Sequence, residues 1–218
     1  SYGIKINDSS IDFNSIITRS RGIADGMSKG VNFLMKKNKI EILNGFGKII
    51  SKNEVEVEDD KKNKKNYKAD NIIIATGGRS RELPNIKLDG EKIIEYRKAM
   101  TLKKQPKSMV VIGSGAIGSE FAYFYNSIGT KVTLVEYLPN ILPLEDIDVS
   151  KQLEKSFKKS GIEVLTNTEV KAVSSNSKGC KVTYSSNEKE SVIDCDIVLS
   201  ALGVPRMHIK LSWAVWQV

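Results

Sequence analysis

Three glycines at positions 113, 115 and 118, and one acid at 136, are the residues of this sequence best spaced to do chemistry. The apolar run Met109-Val110-Val111-Ile112 precedes the first glycine, and Ser119 to Ile128 follow the third at helical spacing. Strand, tight turn and helix in that order gather backbone N–H groups at a helix N-terminus, where the dipole and the free donors stabilise phosphate. In that arrangement Gly113 permits the turn, Gly115 lets a diphosphate approach the backbone, and Gly118 lets the helix pack on the sheet. Glu136 lies 18 residues beyond Gly118, at the end of Val132-Thr133-Leu134-Val135. Its carboxylate can accept hydrogen bonds from an adenosine ribose and repels a 2′-phosphate. No Arg stands between Glu136 and Arg206 to clamp such a phosphate, so the pattern favours NAD over NADP.

The surrounding elements have a βαβ rhythm. Gly129 closes the helix after Gly118, and a second helix spans Asp148 to Ser160 before Gly161. Ile162–Leu165 is expected as a third strand, 169–193 as a β-meander, and Ile197 to Gly203 as a final buried strand. The first part predicts a helix from Asp12 to about Lys39, on the recurrence of Phe13, Ile16, Ile17, Ile23, Met27, Val31, Phe33 and Leu34. Strands are predicted at Ile40–Leu43, Glu54–Glu58 and Tyr67–Ala69. A further strand, buried on both faces, is predicted over the apolar run Ile72-Ile73-Ile74-Ala75 before Gly77-Gly78. Residues 79–107, with Pro84, Gly90 and Pro106, read as a connection. The fold class is α/β with two nested Rossmann-like units: a partial FAD-binding domain over 1–105 and an NAD-binding domain with β-meander over 106–204. Residues 205–218 form an atypical tail.

Composition narrows the class. Of 218 residues 40% are hydrophobic, enough for a packed core. No apolar run reaches the roughly 20 residues of a membrane span. Net charge is +8, yet the only dense basic run is Lys61 to Lys68, which reads as a solvated turn rather than a nucleic-acid patch. Cys180 and Cys195 belong to no metal-ligand cluster, so no metal site is expected and both read as structural thiols of a reducing compartment. The sole histidine, His208, reads as a surface or junction residue.

Gly113–Glu120, Val132–Pro143 and Glu145-Asp146 together resemble the NAD domain of dihydrolipoyl dehydrogenases, within the class I pyridine nucleotide-disulfide oxidoreductases. Val135-Glu136-Tyr137-Leu138-Pro139-Asn140-Ile141-Leu142-Pro143 is particularly close. Asn44-Gly45-Phe46-Gly47-Lys48-Ile49 and Ile72–Gly78 are similar to that family's flavin domain, and the resemblance covers about 1–204. It implies that Gly47, Thr76, Gly77 and Gly78 contact FAD. It also implies that Gly113, Ser114, Gly115, Ala116, Ile117, Gly118, Glu120, Glu136, Val170 and Gly203 line the NAD site, with Glu120 supporting the flavin–nicotinamide junction. Plain strand core is the other reading of Val170.

The reaction implied is oxidation of protein-bound dihydrolipoamide. The dithiol reduces a cysteine pair, electrons pass to FAD, and hydride reaches NAD⁺. The implied parent is a homodimer serving 2-oxoacid dehydrogenase complexes through lipoyl carriers. It would reside in the cytoplasm, or in the mitochondrial matrix of a eukaryote, with no nucleic-acid or membrane partner. The family's N-terminal glycine motif for FAD, its Cys-x4-Cys, its second FAD strand and its His–Glu pair do not occur in these residues. An inactive internal fragment with no catalytic residue of its own is therefore expected, and the tail after Gly203 suggests a truncation, frame error or foreign junction. Other members of the group, glutathione or mercuric reductase-like, and a non-catalytic nucleotide-binding module are the alternatives. The isolated chain is expected to aggregate or behave as a molten state.

Overall fold

A computed structural model describes residues 8–81 and 84–204, and the backbone of 214 and 215. These form two compact units, one of residues 21–79 with 204 and 214–215, the other of 8–20 with 80–203.

Helix α1 (Phe13–Lys37) begins in the larger unit and continues into the smaller. Asp12 starts it by accepting from the Ser15 N–H at 3.0 Å and the Ser15 hydroxyl at 2.6 Å, as an N-cap does. In the smaller unit β1 (Phe46–Ser51), β2 (Glu54–Glu58) and β3 (Lys64–Lys68) form an antiparallel sheet. The lysine run supplies both the turn and β3. Its charges meet acids of β2: Lys62 reaches Glu58 at 2.9 Å, and Lys64 reaches Glu56 at 3.1 Å.

Two sequence expectations fail here. Residues 40–43 and 71–75 are irregular rather than strands. Ile73 is 84% exposed, and Ile40, Ile42 and Ile74 are exposed too, so the run over 72–75 is not buried on both faces. An apolar run becomes a strand only where a neighbour completes its ladder. Among the described residues neither segment has one. Along α1 the apolar residues Met27, Phe33 and Leu34 likewise stay exposed, although the helix itself forms over the expected span.

The larger unit follows the expected rhythm closely. β4 (Ile93–Ile94) and α2 (Tyr96–Ala99) are built from the stretch read as a connection. Then come β5 (Ser108–Ile112), α3 (Ala116–Ser127), β6 (Lys131–Val135), α4 (Ile147–Lys159) and β7 (Glu163–Leu165). The meander is β8 (Thr168–Ser175), β9 (Cys180–Ser186) and β10 (Lys189–Cys195), and β11 (Ile197–Ser200) returns to the sheet. The parallel sheet runs β4-β11-β5-β6-β7. Alternation along β5 divides the core. Met109 and Val111 pack with Ala122, Tyr125 and Phe157 of the helices, while Val110 and Ile112 pack with Val170, Val182 and Cys195 of the meander. In the smaller unit, β12 (Ala214–Val215) pairs antiparallel with β1.

Candidate functional site: a dinucleotide crevice

The larger unit's sheet reverses direction of growth at β5. From β5 the chain crosses through α3 to β6 on one side, whereas β11 lies on the other. Such a switch point opens a crevice beyond the carboxyl ends of the strands. The glycine turn occupies that place. Gly113 takes φ +97°, and a Cβ there would stand 2.6 Å from the Ala201 carbonyl oxygen. A Cβ on Gly118 would overlap the Gly113 carbonyl, so the helix approaches the turn as closely as its lack of a side chain allows. At Gly115 a Cβ would meet nothing within 4 Å. Its bareness serves no internal packing and leaves room for an outside group. Gly115 is also the N-cap of α3, and no side chain caps that helix. Unsatisfied first-turn amides beside an open glycine make an anion cradle.

Glu136 directly follows β6 and is only 7% exposed, so it is not a loose surface carboxylate. One oxygen, Oε2, accepts from the Ser114 N–H at 2.9 Å and the Ser114 hydroxyl at 2.6 Å; Oε1 accepts from the Leu138 N–H at 2.9 Å. A carboxylate offers about four acceptor positions, so about one remains for an outside donor. The Ser114 carbonyl accepts from the Leu142 N–H at 3.1 Å and the Ser119 hydroxyl at 2.9 Å. Turn, helix and the loop after Glu136 are thus braced through a single serine. Sequence reading named Ser114 only as a lining residue. A hydroxyl inside a glycine turn, one βα unit upstream of the acid, was the available signal.

Other expected residues fall as follows. Ala116 and Glu120 are exposed on α3, and Ile117 is half-buried. Gly203 follows β11 at φ +92°, and its carbonyl accepts from the Arg81 N–H at 3.0 Å. Val170 is buried in the apolar layer between sheet and meander. Gly47, Thr76, Gly77 and Gly78 belong to the smaller unit. Gly47 is buried in β1 opposite Val57 and lines a cavity of about 520 Å³ with Leu43, Val55, Tyr67 and Ile72. Gly77 turns the chain at φ +76°. Among the described residues no group of three His, Cys, Asp or Glu could hold a metal ion.

The chain is similar to known proteins. Dihydrolipoyl dehydrogenase of Zymomonas mobilis is 41% identical over 221 residues, an alignment covering 97% of this chain and 47% of that protein. The dihydrolipoyl dehydrogenase of Acholeplasma laidlawii is 41% identical over 196 residues, covering 88% of this chain and 56% of its own length. The chain therefore spans about half the length of the curated relatives it matches. Among solved structures, LpdA from Mycobacterium tuberculosis superposes with a TM-score of 0.84 at 26% identity, covering 94% of this chain and 45% of that one. RclA, a flavoprotein disulfide reductase from Escherichia coli, shares the fold at a TM-score of 0.73 and 23% identity, over 92% of this chain and 45% of its own. The family model described as pyridine nucleotide-disulphide oxidoreductase matches residues 5–210, a span that holds the glycine turn, Glu136 and the loop after β11; this chain belongs to that family.

Proposed function

We propose that this chain supplies the nicotinamide-nucleotide half, and part of the flavin cradle, of a dihydrolipoyl dehydrogenase. The reading rests on one observation: Glu136, held by Ser114, stands beside an uncapped helix start and an open Gly115 at the switch point.

The residues fit NAD, and each has a task. Amides at the start of α3 bind the diphosphate, Gly115 admits it, and the spare acceptor of Glu136 takes a ribose hydroxyl. The same buried negative charge opposes a 2′-phosphate. Glu120 and Gly203 complete the crevice. Gly47 and Thr76-Gly77-Gly78 contact FAD. When bound, the pair of cofactors carries electrons from a dithiol to NAD⁺. The substrate is protein-bound dihydrolipoamide. The whole enzyme acts as a homodimer with 2-oxoacid dehydrogenase complexes, in the cytoplasm or the mitochondrial matrix. No helix among the described residues is long and apolar enough to cross a membrane.

The two cysteines of the sequence lie on β9 and β10 rather than in a Cys-x4-Cys. The 218-residue chain alone is therefore expected to bind NADH without oxidising dihydrolipoamide. Titration with NADH, read by nicotinamide fluorescence, and the same titration with NADPH test the site. Saturable binding with at least about tenfold preference for NADH is expected from the buried acid. Equal affinity for both nucleotides overturns the ribose role, and turnover of dihydrolipoamide overturns the assignment of the redox step to other residues.

A further inference from the structure

We propose that Cys180 and Cys195 are a redox-active dithiol, closed to a disulfide by peroxide. The pairing of β9 with β10 sets these residues directly opposite one another. Both are free thiols, only 4% and 7% exposed. Directly opposed residues of an antiparallel pair have Cα atoms about 4.5–5.5 Å apart. A disulfide spans about 4.4–6.8 Å, so the register sets the two residues within bridging range.

Their surroundings make the two sulfurs unequal. Interaction with the Cys195 sulfur holds the Cys180 thiol below its ordinary value against the opposing effect of burial. Nearby Lys92 favours the Cys180 thiolate and Asp89 disfavours it. The same interaction, together with burial, pushes the Cys195 thiol far up. That direction favours Cys180 as the first sulfur to react, since thiolate character sets reactivity. As a thiol it faces the Lys92 carbonyl at 3.6 Å and the Asp196 carbonyl at 3.9 Å, at the approaches to β4 and β11. Oxidation withdraws a donor from both.

The step balances. The Cys180 thiolate attacks one peroxide oxygen and takes up a hydroxyl; the O–O bond breaks, and hydroxide leaves to be protonated to water. The Cys195 sulfur then attacks the resulting sulfenic acid, loses its proton, and expels a second water. Two thiols and one hydrogen peroxide give one disulfide and two waters, with sulfur oxidised and peroxide oxygen reduced. Nothing in this chemistry draws on the dinucleotide crevice.

The test treats the full chain with hydrogen peroxide, with and without denaturant, counts thiols, and maps peptides by mass spectrometry. The expected result is loss of both thiols, an intramolecular Cys180–Cys195 link, and full recovery with dithiothreitol. Closure should be at least about tenfold faster without denaturant, since the register holds the sulfurs together. In Cys195→Ser, dimedone should trap a sulfenic acid on Cys180; Cys180→Ser should label far more slowly. Three results overturn the proposal: thiols that persist without denaturant yet oxidise in it, equal rates in both, or links only between chains.

Discussion

Both donors of Ser114 converge on one oxygen of Glu136, the backbone N–H at 2.9 Å and the hydroxyl at 2.6 Å. The acid proposed to read the ribose is therefore oriented by the turn proposed to bind the diphosphate. A charge-assisted hydrogen bond of this kind contributes about 1.5–3 kcal/mol. Ser114→Ala should retain the fold and weaken NADH binding roughly tenfold, while Ser114→Thr, which keeps the hydroxyl, should recover much of the loss. Fluorescence titration of the three proteins measures this. Unchanged affinity in Ser114→Ala would remove the serine from the positioning role.

The three glycines of the turn should separate by phenotype. Gly118→Ala places a methyl on the Gly113 carbonyl and should cost about 1–3 kcal/mol of stability. Gly115→Ala meets no neighbouring atom, so its melting temperature should hold while NADH affinity falls. Thermal melts and nucleotide titrations on both variants decide the matter; a Gly115→Ala protein binding normally would show that no ligand approaches there.

Asp89 organises the chain before β4. Its Oδ1 accepts from the backbone N–H groups of Glu91, Lys92 and Ile93 at 2.7–2.8 Å, and its Oδ2 from the Ser175 hydroxyl at 2.8 Å. Burial works against the charge, but these donors prevail and hold the carboxyl below its ordinary 3.8. A depressed folded value means stability that is complete above the ordinary value and lost as pH falls through the folded one. Asp89→Ala should cost about 1–2 kcal/mol at neutral pH, as loss of a capping carboxylate does. Urea unfolding at pH 7 and pH 3 should show the difference between variant and parent shrinking in acid. A difference that stays constant with pH would contradict the role of the charge.

Tyr125 is fully buried among Phe13, Phe121 and Phe124, and its hydroxyl donates to the Ala99 carbonyl at 2.6 Å. Burial pushes its ionisation well above the ordinary 10.0. Above pH 10 the unfolded chain gains a phenolate that the folded chain cannot, so stability falls as pH rises past that value. Tyr125→Phe leaves the Ala99 carbonyl unpaired at a cost of about 1–3 kcal/mol, and removes this alkaline contribution. Denaturant melts between pH 8 and 11 measure both effects.

Sequence by itself determined what is local. The glycine spacing, the helices stopped by Gly129 and Gly161, and the alternation in β5 rest on dihedral freedom and periodicity, which neighbours in the chain carry. Tertiary structure decided what depends on distant partners. Apolar runs at 40–43 and 72–75 read as strands, yet no ladder completes them among the described residues. Conversely, Ile93–Ile94, inconspicuous in sequence, pairs with β11 and enters the sheet. Only the placement of β11 beside β5 brings Ala201 against Gly113 and opens the crevice. The Ser114–Glu136 and Cys180–Cys195 pairs arise in the same way. Hydrogen-bond ladders and side-chain contacts between segments far apart in the chain leave no mark on the periodicity of either segment.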